Sequence, residues 1–317
     1  MNPVRNDDHS PPLVLTGVDG GNPVAFLAAI GTLRALSLAC PEGNVKMAWT
    51  AHAGAWRPVL FASVPLGEAD LVNLLDERLR RMAGHPALAL ADDLNVDPHT
   101  FRAFAEAAKA AAAKADGADA RIAADFAAAF GCDVLTTEDG MIQDTALRTM
   151  SGAGHQHFLA FMRAIVKQTG PQHLRKTLFS RWAYDDAVTN QTLRWDPADD
   201  SRYALRWRDP SGDPARKKGG GMLGANRLAI EGLPLVTCAP VGPTLRTTGF
   251  TGSAARSTFW TWPIWTCPVG LDVCRSLLAH ASVVSDSPGH HDELRAMGIV
   301  AAFRSQRITV GKFRNFA

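Results

Sequence analysis

Residues 13–36 set the first constraint on any fold this chain can adopt. Positions 13–18 are apolar enough for a strand, and Asp19-Gly20-Gly21 ends it. Asn22 then suits a helix N-cap and Pro23 the first helical position. The run PVAFLAAIGTLRAL that follows places Phe26, Ile30 and Leu33 at helical spacing on one buried face. Ala28, Ala29 and Gly31 are small, so a second element can approach this helix closely. A strand, a tight turn and a helix at the start of the chain make a mixed fold the expectation.

The remaining punctuation extends that expectation. Residues 44–50 and 57–62 read as strands around a turn at 52–55, and 68–82 as a helix with Leu71, Leu75 and Leu79 inward. Asp97-Pro98 starts another helix, carried by Phe101, Phe104 and Ala108 into an alanine-rich stretch that Gly117 breaks. Ile122, Phe126 and Phe130 form a further apolar stripe, which Gly131 is placed to cap. Residues 132–153 read as an irregular connection. Helices follow over 155–169, with Phe158, Met162 and Ile165 inward, and over 172–182. Alternation at 203–208 predicts a strand with a cationic outer face. A loop over 213–221, a helix over 271–280, a polar turn over 285–291 and a closing hairpin from 299–303 and 306–313 complete the reading.

The 317 residues suffice for one large or two medium domains, and no apolar run is long enough for a membrane span. The opening MNPVRNDDHSPP lacks the apolar core of a signal peptide and reads as a disordered lead-in over 1–12. Five scattered cysteines give no disulfide framework. A cytoplasmic protein with reduced thiols is expected, free of membrane. The net charge of +2 hides a division: residues 1–150 hold 12 Lys and Arg against 19 Asp and Glu, or −7, while residues 151–317 hold 21 against 12, or +9. The fold expected is therefore α+β, with an acidic α-rich part with a small sheet over 13–150 and a basic mixed α/β part over 151–317 that carries a nucleic-acid surface.

Chemistry concentrates in the second part. Six of the eight tryptophans lie between Trp182 and Trp265, interleaved with arginines. Arginine and lysine neutralise phosphates and aromatic faces stack on bases, so the stretch reads as binding before catalysis. Arg216-Lys217-Lys218-Gly219-Gly220-Gly221 is the leading candidate, three cations beside three glycines in a finger able to order on a phosphate backbone. Asn226 and Arg227 are residue types that make bidentate contacts to adenine and guanine. Arg206, Arg208, Arg246 and Arg256 add backbone contacts, and Arg304, Arg307, Lys312 and Arg314 a basic C-terminal strand pair. FWTWPIW (259–265) reads as core rather than a stacking platform.

Catalytic patterns are weaker. His155 and His157 lack a third ligand, and His290-His291-Asp292 reads as a solvated loop. Asp185-Asp186 and Asp196, Asp199 and Asp200 read as turn caps and local ion pairs beside Arg194 and Arg202. Gly17-Val18-Asp19-Gly20-Gly21 lacks the Gly-Lys-Ser/Thr ending of a phosphate loop, and nothing in the chain calls for a metal or other cofactor.

Five tracts resemble proteins of type I-G (formerly I-U) CRISPR–Cas loci: LTGVDGGNPVAFLAAIGTLRAL at 15–36, RWDPADDSRYALRW at 194–207, GANRLAIEGLPL at 224–235, TTGF at 247–250 and FWTWPIW. The resemblance implies a large-subunit-like component of a Cascade effector in antiviral defence. Such a subunit is not an enzyme: it reads a short DNA motif beside the target while guide RNA pairing reads the sequence, and a separate helicase-nuclease cleaves. Implied partners are the other effector subunits, guide RNA, target double-stranded DNA and that helicase-nuclease. Residue chemistry then assigns motif reading to Asn226, Arg227 and the 216–221 loop, and backbone contacts to Arg206, Arg208 and Arg246. Two other readings stay open. One is a divalent-metal-dependent nuclease or hydrolase using Asp185, Asp186, Asp196 or the histidines; the other is a protein-only adaptor with the tryptophan cluster as interface.

Overall fold

The computed structural model describes residues 11–82, 84–114, 118–150, 152, 156–186, 192–198, 220–252, 257–287, 289–310 and 313–317. In chain order the helices are α1 (Pro23–Ala39), α2 (Glu68–Arg81), α3 (Pro98–Lys114), α4 (Ile122–Phe130), α5 (Phe158–Gln168), α6 (Pro171–Phe179), α7 (Leu223–Gly232), α8 (Leu271–Leu278) and α9 (Gly289–Ala296). The strands are β1 (Leu13–Val14), β2 (Lys46–His52), β3 (Ala55–Phe61), β4 (Gly131–Thr136), β5 (Ile142–Asp144), β6 (Cys238–Val241), β7 (Thr244–Thr247), β8 (Phe250–Thr251), β9 (Thr258–Trp265), β10 (Ile299–Val310) and β11 (Phe313–Phe316). The chain is α+β: all strand pairs are antiparallel, in sheets ordered β1-β3-β2 and β11-β10-β9-β8 and in the two-stranded units β4-β5 and β6-β7.

Helix α1 is the axis of the core. Its cap forms as the sequence predicts: the Asn22 side-chain oxygen accepts from the backbone N–H of Val24 at 3.0 Å and of Ala25 at 3.2 Å. The helix is buried on every side from Pro23 to Leu36, so it needs packing partners all round. On one side these are aromatic. The Phe26 ring stacks on Trp49 of β2 at 5.7 Å and meets Trp260, Trp262 and Trp265 of β9 at 5.9, 5.8 and 6.3 Å. The indole N–H of Trp262 donates to the Gly20 carbonyl and that of Trp265 to the Met47 carbonyl, each at 2.8 Å. A buried indole needs such a partner, and these two tie β9 to the N-terminal unit.

On its other side α1 meets α7 at backbone distance. A Cβ on Gly31 would stand 1.9 Å from the Leu228 carbonyl oxygen, and one on Gly232 would stand 2.5 Å from the Leu27 carbonyl oxygen. Both glycines are conditions of the contact. Every residue of α7 is buried, including Asn226, Arg227 and Glu231. The charges pair: Arg34 Nη1 donates to Glu231 Oε2 at 3.0 Å and Arg227 Nη1 to Glu231 Oε1 at 2.9 Å, and all three side chains are 1% exposed. Burial alone would push the Glu231 carboxyl up; Arg227 and Arg34, and Arg78 more weakly, outweigh it and hold the group below its ordinary value.

The hairpin β2–β3 turns through Ala53 and Gly54, both at positive φ (50° and 78°), the geometry that matches strand twist in a two-residue turn. Met47 and Val269 exchange backbone hydrogen bonds at 2.9 and 3.0 Å, so the segment after β9 continues the edge of β2.

The structure departs from the sequence expectations at five places. The first strand stops at Val14, because Gly17 N–H and Thr16 Oγ1 turn away to the Leu178 and Phe179 carbonyls at the end of α6. Gly131 is no left-handed cap: its backbone is extended and opens β4, and a Cβ there would lie 2.7 Å from the Gln143 carbonyl oxygen of β5. The 132–153 connection thus contains a hairpin, which an irregular register between Cys132 and Thr136 hides from alternation. His290, His291 and Asp292 lie in helix α9, held to the core by Leu294. The closing segment 299–310 is one strand, β10, which pairs with β9 along its first part and β11 along its last. The strand expected over 203–208 lies outside the described residues.

The backbone contact at Gly31 carries a direct consequence. Gly31→Ala gains about 1 kcal/mol of helix propensity, yet overpacking against the Leu228 carbonyl should lower stability by about 2–3 kcal/mol net. Urea denaturation at neutral pH reads the difference.

Candidate nucleic-acid interface

The structure divides the sequence-derived contact residues into interior and surface. Arg206, Arg208, Arg216, Lys217, Lys218, Gly219, Arg256 and Lys312 lie outside the described residues. Gly220 is described: a Cβ there would stand 2.5 Å from the Asp186 carbonyl oxygen, and Gly221 exchanges backbone hydrogen bonds with Asp186 at 3.0 and 3.2 Å. The glycine run therefore ends pinned beside Asp186.

Asn226 and Arg227 do not reach solvent, being 5% and 1% exposed. Asn226 Nδ2 donates to the Met222 carbonyl and its Oδ1 accepts from Leu193 N–H at 3.2 Å. Arg227 is committed to Glu231 and, through Nη2 at 3.3 Å, to the Leu79 carbonyl. Reading bases with these two side chains would require α7 to leave the core, so in this fold they are packing residues. Three of the C-terminal cations are also spent. Arg307 Nη1 donates to the Ala146 carbonyl at 2.9 Å and Arg314 Nη1 to the Arg148 carbonyl at 3.2 Å, stapling β10 and β11 to the segment after β5. Burial and then the neighbouring Arg314 charge pull the Arg307 guanidinium down to about 10, against the pull of Asp144. Arg304 pairs with Asp286 at 2.8 Å and is 36% exposed. Arg246, on β7, is exposed and has no ion pair among the described residues.

Among the described residues the acidic and glycine-rich candidates are engaged within the fold; Asp199, Asp200 and His155 lie outside those residues. Lys176 on α6 pairs with Asp185 and, at 3.0 Å, with Asp186. Burial would lower the Lys176 ammonium, but the two carboxylates outweigh it and hold it above its ordinary value. Asp186 Oδ2 also accepts from Leu223 N–H at 2.8 Å, at the start of α7. Asp196 accepts from Ala198 N–H at 2.9 Å and from Asn22 Nδ2 at 3.1 Å, the turn-capping role its spacing predicts. Among the described residues no three metal-binding side chains converge. In the turn before α1, Gly20 N–H goes to the Trp56 carbonyl and Gly21 N–H to Asp19 Oδ1, and Asn22 takes the first helical N–H groups. The N–H groups of Gly20 and Gly21 and of the first helical turn are thus taken up within the fold.

A group of cations outside the predicted set does converge. A cavity of about 490 Å³ opens between α2, α5, the start of α6 and the 3-10 turn at Pro86–Leu88, with Arg227 of α7 at its floor. Leu79, Leu88, Val166 and Leu174 form its walls. Arg80, Arg163 and Lys167 line it and reach solvent, Arg80 and Arg163 with 73% and 38% of their side chains exposed and Lys167 at an exposed position. Arg163 is locked in place by the Leu88 and Ala91 carbonyls at 2.7 and 2.8 Å and by Asp92. Arg80 pairs with Asp76 at 2.6 Å, while Lys167 has no ion-pair partner among the described residues. His85 Nδ1 accepts from Ala87 N–H at 3.1 Å, which leaves Nε2–H as the free donor; burial, outweighing the attraction of Glu231 and Asp119, lowers its pKa and keeps the ring neutral at pH 7. Sequence reasoning missed this group because Arg80 on α2 is more than eighty residues from Arg163 and Lys167 on α5, and only the packing of the two helices brings them to one cavity.

No family model, curated protein or solved structure matches the chain. Among the described residues no helix is long and apolar enough to cross a membrane.

Interior and surface arginines should separate by stability alone. Arg227→Ala breaks a buried pair and should cost about 3 kcal/mol, whereas Arg246→Ala should stay within about 0.5 kcal/mol of the parent. Thermal and urea unfolding of the two variants give the comparison.

Proposed function

We propose that the chain is a non-catalytic, nucleic-acid-binding subunit of a type I-G CRISPR surveillance complex. The observation that carries the binding part is that Arg80, Arg163 and Lys167 line one cavity, with Lys167 free of any ion pair among the described residues. Exposed cations without carboxylate partners are free to take phosphates and release counterions. Lys167 and Arg246 are two such positions among the described residues, and the sequence places Arg216, Lys217 and Lys218 immediately before Gly219.

The complex-subunit part rests on the resemblance of 15–36 and the tracts from 194 onward. Tracts 15–36, 224–235 and 259–265 form α1, α7 and β9, which pack on one another around Phe26 and Gly31. What these tracts share with the family is thus core, and the site assignment moves to the surface. DNA reading falls to the 216–221 segment and Arg246; guide and target contacts follow the exposed cations. Engagement of Asp185 and Asp186 by Lys176 and by Leu223 N–H favours this reading over a metal-dependent nuclease.

The test is co-expression with the neighbouring effector genes and a CRISPR array, followed by target-duplex binding at several salt concentrations. Guide RNA should co-purify. Changing Arg216, Lys217 and Lys218 to Ala should weaken duplex binding and make the salt slope shallower by about one for each phosphate that the variant no longer neutralises. A chain that purifies alone, without RNA and indifferent to DNA, would defeat the proposal.

A further inference from the structure

We infer that the cavity between α2, α5 and α6 is a binding site for one phosphorylated unit of nucleotide size, with the phosphate at Lys167 and the flat body between the aliphatic walls. The shape and the chemistry agree. A volume of about 490 Å³ falls within the range of small-molecule sites. The charged groups that line it are mostly cations, Arg80, Arg163, Lys167 and Arg227, against the single carboxylate of Asp76, and of these Lys167 is the one with no ion pair among the described residues. Such a lining selects an acceptor-rich anion. The aliphatic lining, Leu79, Leu88, Val166 and Leu174, selects a ligand with an apolar face as well, which excludes a bare inorganic anion as the best fit.

The donors differ in freedom, and this sets the orientation. Arg227 is fixed by Glu231 and the Leu79 carbonyl, and Arg163 by two carbonyls and Asp92, so both are held rigid with little left to give. Lys167 ends the last turn of α5 with no ion-pair partner among the described residues, on a long flexible stem that lines the cavity and reaches solvent. A phosphate therefore docks at Lys167, with Arg80 released from Asp76 to join it, and the body enters the cavity towards His85. The unit is either a free mononucleotide or one nucleotide turned out of a bound strand; the strand-borne case rests on the nucleic-acid reading proposed above.

The test uses the full chain and three probes: adenosine monophosphate, inorganic phosphate and a fluorescent single-stranded DNA decamer. Variants are Lys167→Glu, which reverses the free cation, and Ala89→Trp, which fills the cavity from an exposed lining position without replacing a cation. Lys109→Glu, on the exposed face of α3 and outside the cavity lining, is the remote control, and unfolding curves confirm that each variant is folded. Adenosine monophosphate should bind saturably, inorganic phosphate much more weakly, and both site variants should weaken adenosine monophosphate binding by about tenfold or more while the control does not. Displacement of the decamer by adenosine monophosphate identifies the strand-borne form. Binding of the mononucleotide with no binding of the decamer supports the cavity site for a free ligand and defeats the nucleic-acid reading. Decamer binding that survives both site variants, with no mononucleotide binding, overturns the cavity site and leaves the nucleic-acid reading standing.

Discussion

Backbone contact between α1 and α7 is the constraint on which the rest of the structure depends. Gly31 and Gly232 let each helix lie against a carbonyl of the other, at Leu228 and Leu27. At that separation neither helix can keep a polar face in water, so Arg34, Arg227 and Glu231 are carried into the interior together. A buried triad of this kind contributes little net stability over an apolar equivalent, but its loss at any one member leaves a charge stranded. It also fixes register, because Glu231 must present one oxygen to each guanidinium. With α1 and α7 locked, the Phe26 face can receive Trp49 from one sheet and Trp260, Trp262 and Trp265 from the other, while α5 and α6 pack behind α7.

Local features were legible in the sequence where the physics is local. The Asn22-Pro23 cap, the small residues facing α7, the hairpin β2–β3 and the apolar stripes of α2, α4 and α5 all follow from neighbours a few residues apart. What escaped was decided at long range. Asn226 and Arg227 read as contact residues, because the groups that engage them in the interior, Leu193 N–H and the Leu79 carbonyl, lie 33 and 148 residues away. Arg307 and Arg314 look like surface cations, yet their acceptors are carbonyls 161 and 166 residues earlier. The cavity was invisible for the same reason, since Arg80, Arg163, Lys167 and His85 meet only after α2 and α5 have packed.

The charge division along the chain takes on a different meaning in the fold. Among the described residues, the cations after residue 150 are not all surface groups. Some are interior, as at Arg227, and some hold strands to the body, as at Arg307 and Arg314. Lys167, Arg181 and Arg246 are exposed and have no ion pair among the described residues. Net charge by sequence segment thus counts structural arginines as though they were available, and it overstates the accessible positive charge of the second half. Burial and pairing separate the two populations.

Hydrogen exchange of the full chain, resolved by peptide, tests the central claim most directly. If α1 and α7 are mutually indispensable, amides in 23–36 and 223–232 should exchange last and at a common rate set by global unfolding. Exchange in 223–232 well ahead of 23–36 would show that α7 opens on its own, and the account of a locked helix pair at the centre of this fold would be wrong.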